Sequence, residues 1–174
     1  MKKKFGNIII YALILNVLIG CGLAKIQYSA SGASISPAVK TYSIEQFPNK
    51  ALQVDPNLSN NFYHALNKYI RGNTGLNEMT NNNGDIRFEG EITGYSFRPV
   101  NIKSNEEANA NRLTIEIRVK FTNTIDEKNN FDQKFSHYAD YSIDEDFNAV
   151  KEAKTKEILD KIIEDIYNKA FVNW

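Results

Sequence analysis

The chain has 174 residues, of which 42% are hydrophobic and 24% charged, with 21 basic and 21 acidic side chains. This length suits one domain with a substantial core, and the even charge balance argues against a nucleic-acid-binding protein, whose domain is normally markedly basic. Cys21 is the only cysteine, so no disulfide forms within the chain.

The N-terminus has the layout of a secretory signal. Three lysines at positions 2–4 precede an apolar run, Ile8–Ile19, which is short for a transmembrane helix, and Gly20-Cys21 follows directly. Gly20-Cys21 resembles a bacterial lipobox and predicts a signal peptide over 1–20, cleavage before Cys21 and acylation of that cysteine. The alternative is a signal peptide or anchor that merely contains a cysteine. Cleavage leaves 18 basic and 21 acidic residues, a net charge of −3.

After the acylated cysteine we expect a tether and then a single domain. Residues 21–37 are rich in Gly, Ala and Ser and end at a proline, which is typical of a flexible or extended linker. The domain is predicted over 38–174. It starts with a short strand, Val39–Ile44, rich in β-branched and aromatic residues.

A helix is predicted next, with Asp55 as its N-cap, Pro56 at its first position and Gly72 at its end. Its apolar positions recur at helical spacing. They are Leu58, Phe62, Ala65, Leu66, Tyr69 and Ile70.

Three strands are predicted after the helix. Asp85–Phe97 is the first, with Gly94 as the site of a bulge or bend. Arg112–Thr122 is the clearest, because apolar residues alternate strictly with polar ones. Phe131–Tyr141 follows after a hairpin loop. The polar segment Asn101–Asn111 is predicted to be an exposed loop between the first two of these strands.

The C-terminal segment, Asp144–Phe171, carries an apolar stripe at helical spacing and charged residues around it, so it is predicted to be a long amphipathic helix. The element order is then β-α-β-β-β-α. Two helices can cover the single apolar face of a four-stranded, mainly antiparallel sheet, and we predict an α+β two-layer sandwich of that kind.

The sequence carries no recognisable catalytic constellation, metal-ligand pattern or phosphate-binding loop, and we predict neither an enzyme nor a cofactor. It contains two histidines. His64 falls on the polar face of the predicted helix. His137 stands in a strand beside Tyr138 and Asp140, where a catalytic pair is the alternative to a solvated or partner-facing side chain.

Basic residues on the clearest strand are the candidate site. Arg112, Arg118 and Lys120 project from one strand, and we expect Lys40 and Arg98 on strands nearby. Such a face can bind anionic headgroups through charge-assisted hydrogen bonds. The alternative is a solvated strand face that Glu116 partly neutralises.

Several blocks of the chain resemble one family. They are residues 31–37 (SGASISP) with 41–44 (TYSI), residues 84–95 (GDIRFEGEITGY), residues 138–141 (YADY) and residues 168–174 (NKAFVNW). On these blocks the chain resembles the LptE family of lipopolysaccharide-assembly lipoproteins, in its Bacteroidetes form. The resemblance extends over essentially the whole chain after Cys21.

The resemblance implies a role without catalysis. LptE-type proteins are held at the outer membrane by acyl chains and insert into an LptD-type β-barrel, where they act as a plug and contact lipopolysaccharide. It also implies the same two helices on a four-stranded sheet. Cys21 is the one family residue that transfers by position. No acidic run follows Cys21, as it does in exported Bacteroidetes-type lipoproteins, which favours the periplasmic face of the outer membrane.

Two other functions remain open from the sequence. A free-standing periplasmic lipoprotein that binds a lipid or glycan predicts a monomer with a ligand pocket and no barrel partner. A hydrolase that uses His137 is the other. If the barrel hypothesis holds, the polar segments Asn81–Asn83 and Asn101–Asn111 are expected to hydrogen-bond inside the wet barrel.

Overall fold

A computed structural model describes residues 35–53, 55–101 and 110–172. Cys21, the predicted signal peptide and nearly all of the predicted tether lie outside these ranges. The elements in chain order are β1 (Thr41–Ile44), α1 (Leu58–Asn73), β2 (Asn77–Glu78), β3 (Ile86–Val100), β4 (Ala110–Asn123), β5 (Phe131–Ser142) and α2 (Phe147–Phe171). A short 3-10 helix, Glu127–Asn129, lies between β4 and β5.

The strands form one sheet in the order β2-β1-β3-β4-β5. The long strands β3, β4 and β5 are antiparallel, while the short β1 is parallel to both of its neighbours. The prediction of an α+β fold with two helices and one mainly antiparallel sheet is confirmed. The predicted number of strands was four, and the sheet has five.

The additional strand, β2, has no hydrophobic signal because both of its residues are exposed. It forms through backbone bonds to β1 and its flank. Asn77 N–H donates to the carbonyl of Lys40 at 2.9 Å, and Met79 N–H donates to the carbonyl of Tyr42 at 2.7 Å. Tertiary pairing, rather than local preference, therefore makes this strand.

The core lies between the sheet and the two helices. Strand β4 buries every second side chain: Leu113, Ile115, Ile117, Val119 and Phe121 are at most 1% exposed. Helix α1 covers this face with Leu58, Phe62, Leu66 and Ile70, and α2 with Ile158, Ile162, Ile163, Ile166 and Phe171. Burial of these side chains is the main source of stability for both helices.

The two helices run side by side in the same direction. Near their C-terminal ends the rings of Tyr69 and Tyr167 lie 5.2 Å apart, and Tyr167 O–H donates to the carbonyl of Asn73 at 3.1 Å. Near their N-terminal ends the carboxylate of Asp55 pairs with Lys151 at 2.9 Å. One aromatic contact and one ion pair thus tie the helices together at both ends.

The helices begin later than predicted. Asn57, not Asp55, occupies the N-cap of α1, so the prediction for Asp55 was wrong by two residues. Asp55 instead accepts the N–H of Asn57 at 3.0 Å within a turn and uses its other oxygen for Lys151. Helix α1 ends at Asn73, one residue beyond the predicted stop at Gly72. Helix α2 is capped by Asp146, which accepts the N–H of Asn148 at 3.0 Å.

Strand β3 contains the predicted irregularity, because its register against β4 shifts between Ile92 and Gly94. Before the shift the even-numbered residues Phe88 and Ile92 are buried against the helices. After it the odd-numbered Tyr95 and Phe97 take that position. The bulge therefore changes which parity of residues faces solvent, as an inserted residue does in a strand with a period of two.

The domain has two distinct ends. We call one of them the near end. The described chain starts there, and Ile35 lines a cavity with Ile86, Asn123 and Phe171. The far end holds the junction between β3 and β4, at Val100 and Ala110, and the start of α2. The 25 residues of α2 separate the two ends by about 38 Å.

Candidate anion-binding face of the sheet

The three predicted basic residues project from the face of the sheet opposite the helices, which we call the polar face. Arg112, Arg118 and Lys120 are even-numbered residues of β4, and the odd-numbered residues of that strand form the core. Strands β3 and β5 contribute Glu89, Asp132 and Asp140, among others, to the same face. The alternation of β4 thus places the side chains as the sequence predicted.

Arg112 is held by the residue directly opposite it on β5. Its Nε and Nη2 donate to the two carboxylate oxygens of Asp140 at 2.7 and 2.9 Å, a bidentate ion pair. The guanidinium carbon also lies 3.6 Å from the ring centroid of Tyr138. The hydrogen bond raises the pKa of Arg112 and lowers the pKa of Asp140. Arg112 is therefore a fixed, fully charged group.

Arg118 and Lys120 have carboxylate partners as well. Arg118 donates through Nε and Nη2 to Asp132 at 2.7 and 2.8 Å, which raises the pKa of Arg118 and lowers the pKa of Asp132. Lys120 pairs with Glu89 at 3.2 Å. Lys134 of β5 adds a pair with Glu116 at 3.0 Å. The predicted cations thus belong to a ladder of ion pairs across β3, β4 and β5.

The three predicted residues do not converge on one point. Arg118 and Lys120 are neighbours on the polar face, but Arg112 lies six residues along the strand, about 20 Å away. Each of the three cations is already paired with a carboxylate, so an anion bound to that cation must share it with the carboxylate. A single pocket that uses all three residues is excluded by this spacing.

Two arginines of β3 are the cations without a carboxylate partner on the described part of the polar face. Arg98 is exposed and lies directly opposite Arg112. Arg87 lies between Ser43 and Thr122, and its Nε is buried without a hydrogen-bond partner. Lys40, expected on a strand near the basic residues of β4, lies just before β1 at the near end, where its N–H donates to Asp85.

Sequence patterning did not bring Arg87 and Arg98 together, because of the bulge between them. Arg87 and Arg98 have opposite parity, which in a regular strand puts them on opposite faces. The register shift between Ile92 and Gly94 brings both to the polar face. The bulge expected at Gly94 was the sequence feature that could have predicted Arg87 and Arg98 on the same face.

The histidines lie apart from this face. His64 is exposed on α1, in an edge contact with Tyr63. His137 faces the helix layer, and its Nε2 lies 2.6 Å from a carboxylate oxygen of Asp165 on α2. Tyr138 and Asp140 project from the opposite face of β5, so they do not form the pair with His137 that the sequence left open.

Over residues 35–53, 55–101 and 110–172, no cluster of three or more His, Cys, Asp or Glu side chains is placed to hold a metal ion. No helix within those ranges is long and apolar enough to cross a membrane.

Comparison with known proteins identifies the family. A sequence model of the LptE family, described as lipopolysaccharide-assembly, matches residues 39–170. No curated protein matches the sequence.

Solved structures share the fold at low sequence identity. A minor lipoprotein from Acinetobacter baumannii is similar with a TM-score of 0.51 and 13% identity, covering 75% of this chain and 91% of its own. An uncharacterized lipoprotein B from Nitrosomonas europaea is similar with a TM-score of 0.54 and 9% identity, covering 82% and 86%. A hypothetical protein from Chlamydia trachomatis is similar with a TM-score of 0.54 and 10% identity, covering 78% and 100%. The family match extends over most of the chain, and this protein belongs to the LptE family of lipopolysaccharide-assembly proteins.

Proposed function

We propose that this protein is a lipoprotein of the outer membrane that occupies and supports an LptD-type β-barrel while lipopolysaccharide passes to the outer leaflet. The family match over residues 39–170 is the observation that carries the proposal. Acyl chains on Cys21 hold the protein at the periplasmic face, since several chains on one residue give a far more stable anchor than a single chain.

The two ends of the domain support an arrangement in which one end enters the barrel. Ile35, the first described residue after Cys21, lies at the near end, and Val100 and Ala110, which flank residues 102–109, lie at the far end. The far end is about 38 Å away along α2. A domain of this length can stay tethered to the membrane while its far end lies deep in the barrel.

The other polar segment has a different place. Asn82 lies at the near end, where its Oδ1 accepts a hydrogen bond from Ser43 at 3.2 Å and its amide donates to Glu45. Its φ of 54° puts it in the left-handed region that Asn tolerates well. These bonds give Asn82 a role in holding the turn over β1. Contact with the barrel therefore falls to Asn101–Asn111 rather than to Asn81–Asn83.

The polar face suits a polar, water-filled barrel interior. Its cations on β4 are paired with carboxylates at 2.7–3.2 Å, so those charges already have partners. Burying an unpaired charge at an interface is costly, whereas paired and hydrogen-bonded charges avoid most of that penalty. The ion-pair ladder thus lets the sheet lie against a polar wall without leaving the cations of β4 uncompensated.

Lipopolysaccharide contact is proposed for the far half of the polar face. Arg112 is the best placed of the three predicted residues, because Arg98 lies opposite it and supplies a second guanidinium. Two guanidiniums side by side can bind one phosphate through charge-assisted hydrogen bonds. Arg118 and Lys120 form a second, weaker position, since Asp132 and Glu89 already engage them.

Depletion of the protein in its native cells tests the proposed role. We expect less lipopolysaccharide on the cell surface, recovery with the unaltered chain, and poor recovery with Cys21→Ser, which removes the acylation site. Unchanged surface lipopolysaccharide after depletion would contradict the role and favour the free-standing binding lipoprotein.

A further inference from the structure

Strand β5 is an open edge of the sheet. It is the last strand in the sheet order, and among the described residues only β4 pairs with it. Its twelve residues contain no proline, and its register against β4 runs without a shift from Ser142 to Phe131. A long, regular edge presents unpaired N–H and C=O groups that another strand can pair with.

The usual protection of such an edge is weakened here. Charged side chains commonly discourage pairing, but those of β5 are engaged with β4. Asp132 binds Arg118, Lys134 binds Glu116, and Asp140 binds Arg112. The charges of β5 are therefore largely neutralised by residues of β4, and they do not prevent another strand from pairing with the open edge of β5.

We propose that β5 pairs antiparallel with β5 of a second copy of this chain, with the two-fold axis at His137. In this register Lys134 lies opposite Asp140 of the second copy, and the symmetry makes that contact twice. The result is a continuous ten-stranded sheet with the helices of both copies on one side. The paired copies are a state of the protein outside the barrel, and this inference does not depend on the proposed role in lipopolysaccharide assembly.

The same register also covers an exposed aromatic side chain of the edge. Tyr138, which is 49% exposed, comes opposite Ser136. Cross-strand contacts between opposite charges, such as Lys134 and Asp140, are among the pairs that stabilise sheets.

Neighbouring registers lose these contacts. An axis at Ser136 puts Asp132 opposite Asp140 twice, which is repulsive. An axis at Tyr138 puts Lys134 opposite Ser142 and removes both charge pairs. An axis between two residues sets the polar face of one copy beside the core face of the other, because directly opposite residues project from the same side.

Disulfide trapping tests the register on the purified full-length chain in detergent. In His137→Cys the two new cysteines face each other across the axis, within reach of a disulfide. In the control Gln133→Cys they are about 27 Å apart, eight residues out of register. We expect a covalent dimer from the first variant and none from the second or from the unaltered chain. No dimer from His137→Cys, or equal dimer from both variants, overturns the register.

Sedimentation equilibrium tests the association without a change at His137. The unaltered chain is expected to reach the mass of two copies, and Lys134→Glu to raise the dissociation constant about tenfold, since two attractive contacts become repulsive. Lys156→Glu makes the same charge change on an exposed position of α2 and is expected to leave the constant unchanged. A monomer at all concentrations, or equal effects of the two variants, overturns the proposal.

Discussion

Arg98 lies directly opposite Arg112 in the β3–β4 pair, yet only Arg112 has a carboxylate partner among the described residues. Two like charges at directly opposite positions of a sheet are destabilising unless something compensates them. Asp140 neutralises the charge of Arg112, so the pair of arginines keeps one net positive charge, on Arg98. Because of that surplus at the far end of the polar face, we propose this pair as the strongest anion-binding position on the face.

Replacing Arg98 is expected to weaken lipopolysaccharide binding without unfolding the domain. Arg98→Gln removes an exposed charge that makes no ion pair with the described residues, so its effect on the free energy of unfolding should stay within about 0.5 kcal/mol. Loss of one charge-assisted contact should lower affinity about three- to tenfold. Binding of labelled lipopolysaccharide, with thermal unfolding in parallel, measures both.

Arg71→Gln is the matched control, because Arg71 is an exposed arginine in the last turn of α1, at the other end of the domain. Equal losses of affinity from the two variants would indicate a nonspecific charge effect and remove Arg98 from the site.

Gly90 is expected to be irreplaceable. It has a φ of 156°, and a Cβ there would overlap the carbonyl oxygen of Arg118 and lie 2.6 Å from the ring of Phe47. Gly90→Ala should destabilise the domain by about 3 kcal/mol or more, through backbone strain and the clash with β4. Urea unfolding followed by circular dichroism measures the change.

A second glycine supplies the contrast. Gly72 lies in α1, and a Cβ at this position would have open space on every side out to 4 Å, so Gly72→Ala should stabilise the domain by about 0.5–1 kcal/mol. Similar losses of stability for both alanine variants would contradict the packing described for Gly90.

Asp85 ties the start of β3 to β1 and should make stability pH-dependent. Its Oδ2 accepts the N–H of Lys40 at 2.9 Å and both the N–H and the hydroxyl of Thr41, at 3.0 and 2.9 Å. The bond from Lys40 is the largest cause of a pKa held below the usual value for aspartate. The carboxylate form is therefore favoured in the folded state.

Because the folded-state pKa is the lower one, Asp85 contributes its stability above the unfolded-state pKa and loses it as the pH falls through the folded-state pKa. Asp85→Asn should cost about 1–2 kcal/mol at neutral pH, with the difference from the unaltered chain shrinking at strongly acidic pH. Urea unfolding of both proteins across this range measures it. A difference that stays constant with pH would show that the lost stability does not come from the charge.

The Asn101–Asn111 segment is expected to contact the barrel. Deletion of residues 105–109 leaves both ends of the β3–β4 ladder intact, since that pairing reaches Val100 and Ala110. The domain should keep its thermal stability while recovery of the barrel with the tagged protein falls several-fold. Unchanged recovery would count against a role for this segment.

Local patterning predicted the elements that the core defines. The strict alternation of Leu113 to Phe121 indicated β4 and the two faces of the sheet, and helical spacing indicated α1 and α2. Strand β2 was missed because Asn77 and Glu78 are polar and exposed, and only their bonds to the β1 region make them a strand.

The candidate site was predicted only in part, for a different reason. The alternation of β4 placed Arg112, Arg118 and Lys120 on one face, but their carboxylate partners depend on the register between strands. Asp140 comes opposite Arg112 only because of the hairpin register, and Arg98 comes opposite Arg112 only because of the bulge in β3. Single-sequence patterns do not determine either feature.

Co-purification is the most direct test of the central proposal. The full-length protein, tagged after residue 174 and extracted from its native membranes in mild detergent, is expected to bring down one large outer-membrane β-barrel in near-equimolar amounts. Recovery of the protein without the barrel, when the barrel is present in the same extract, would contradict the account.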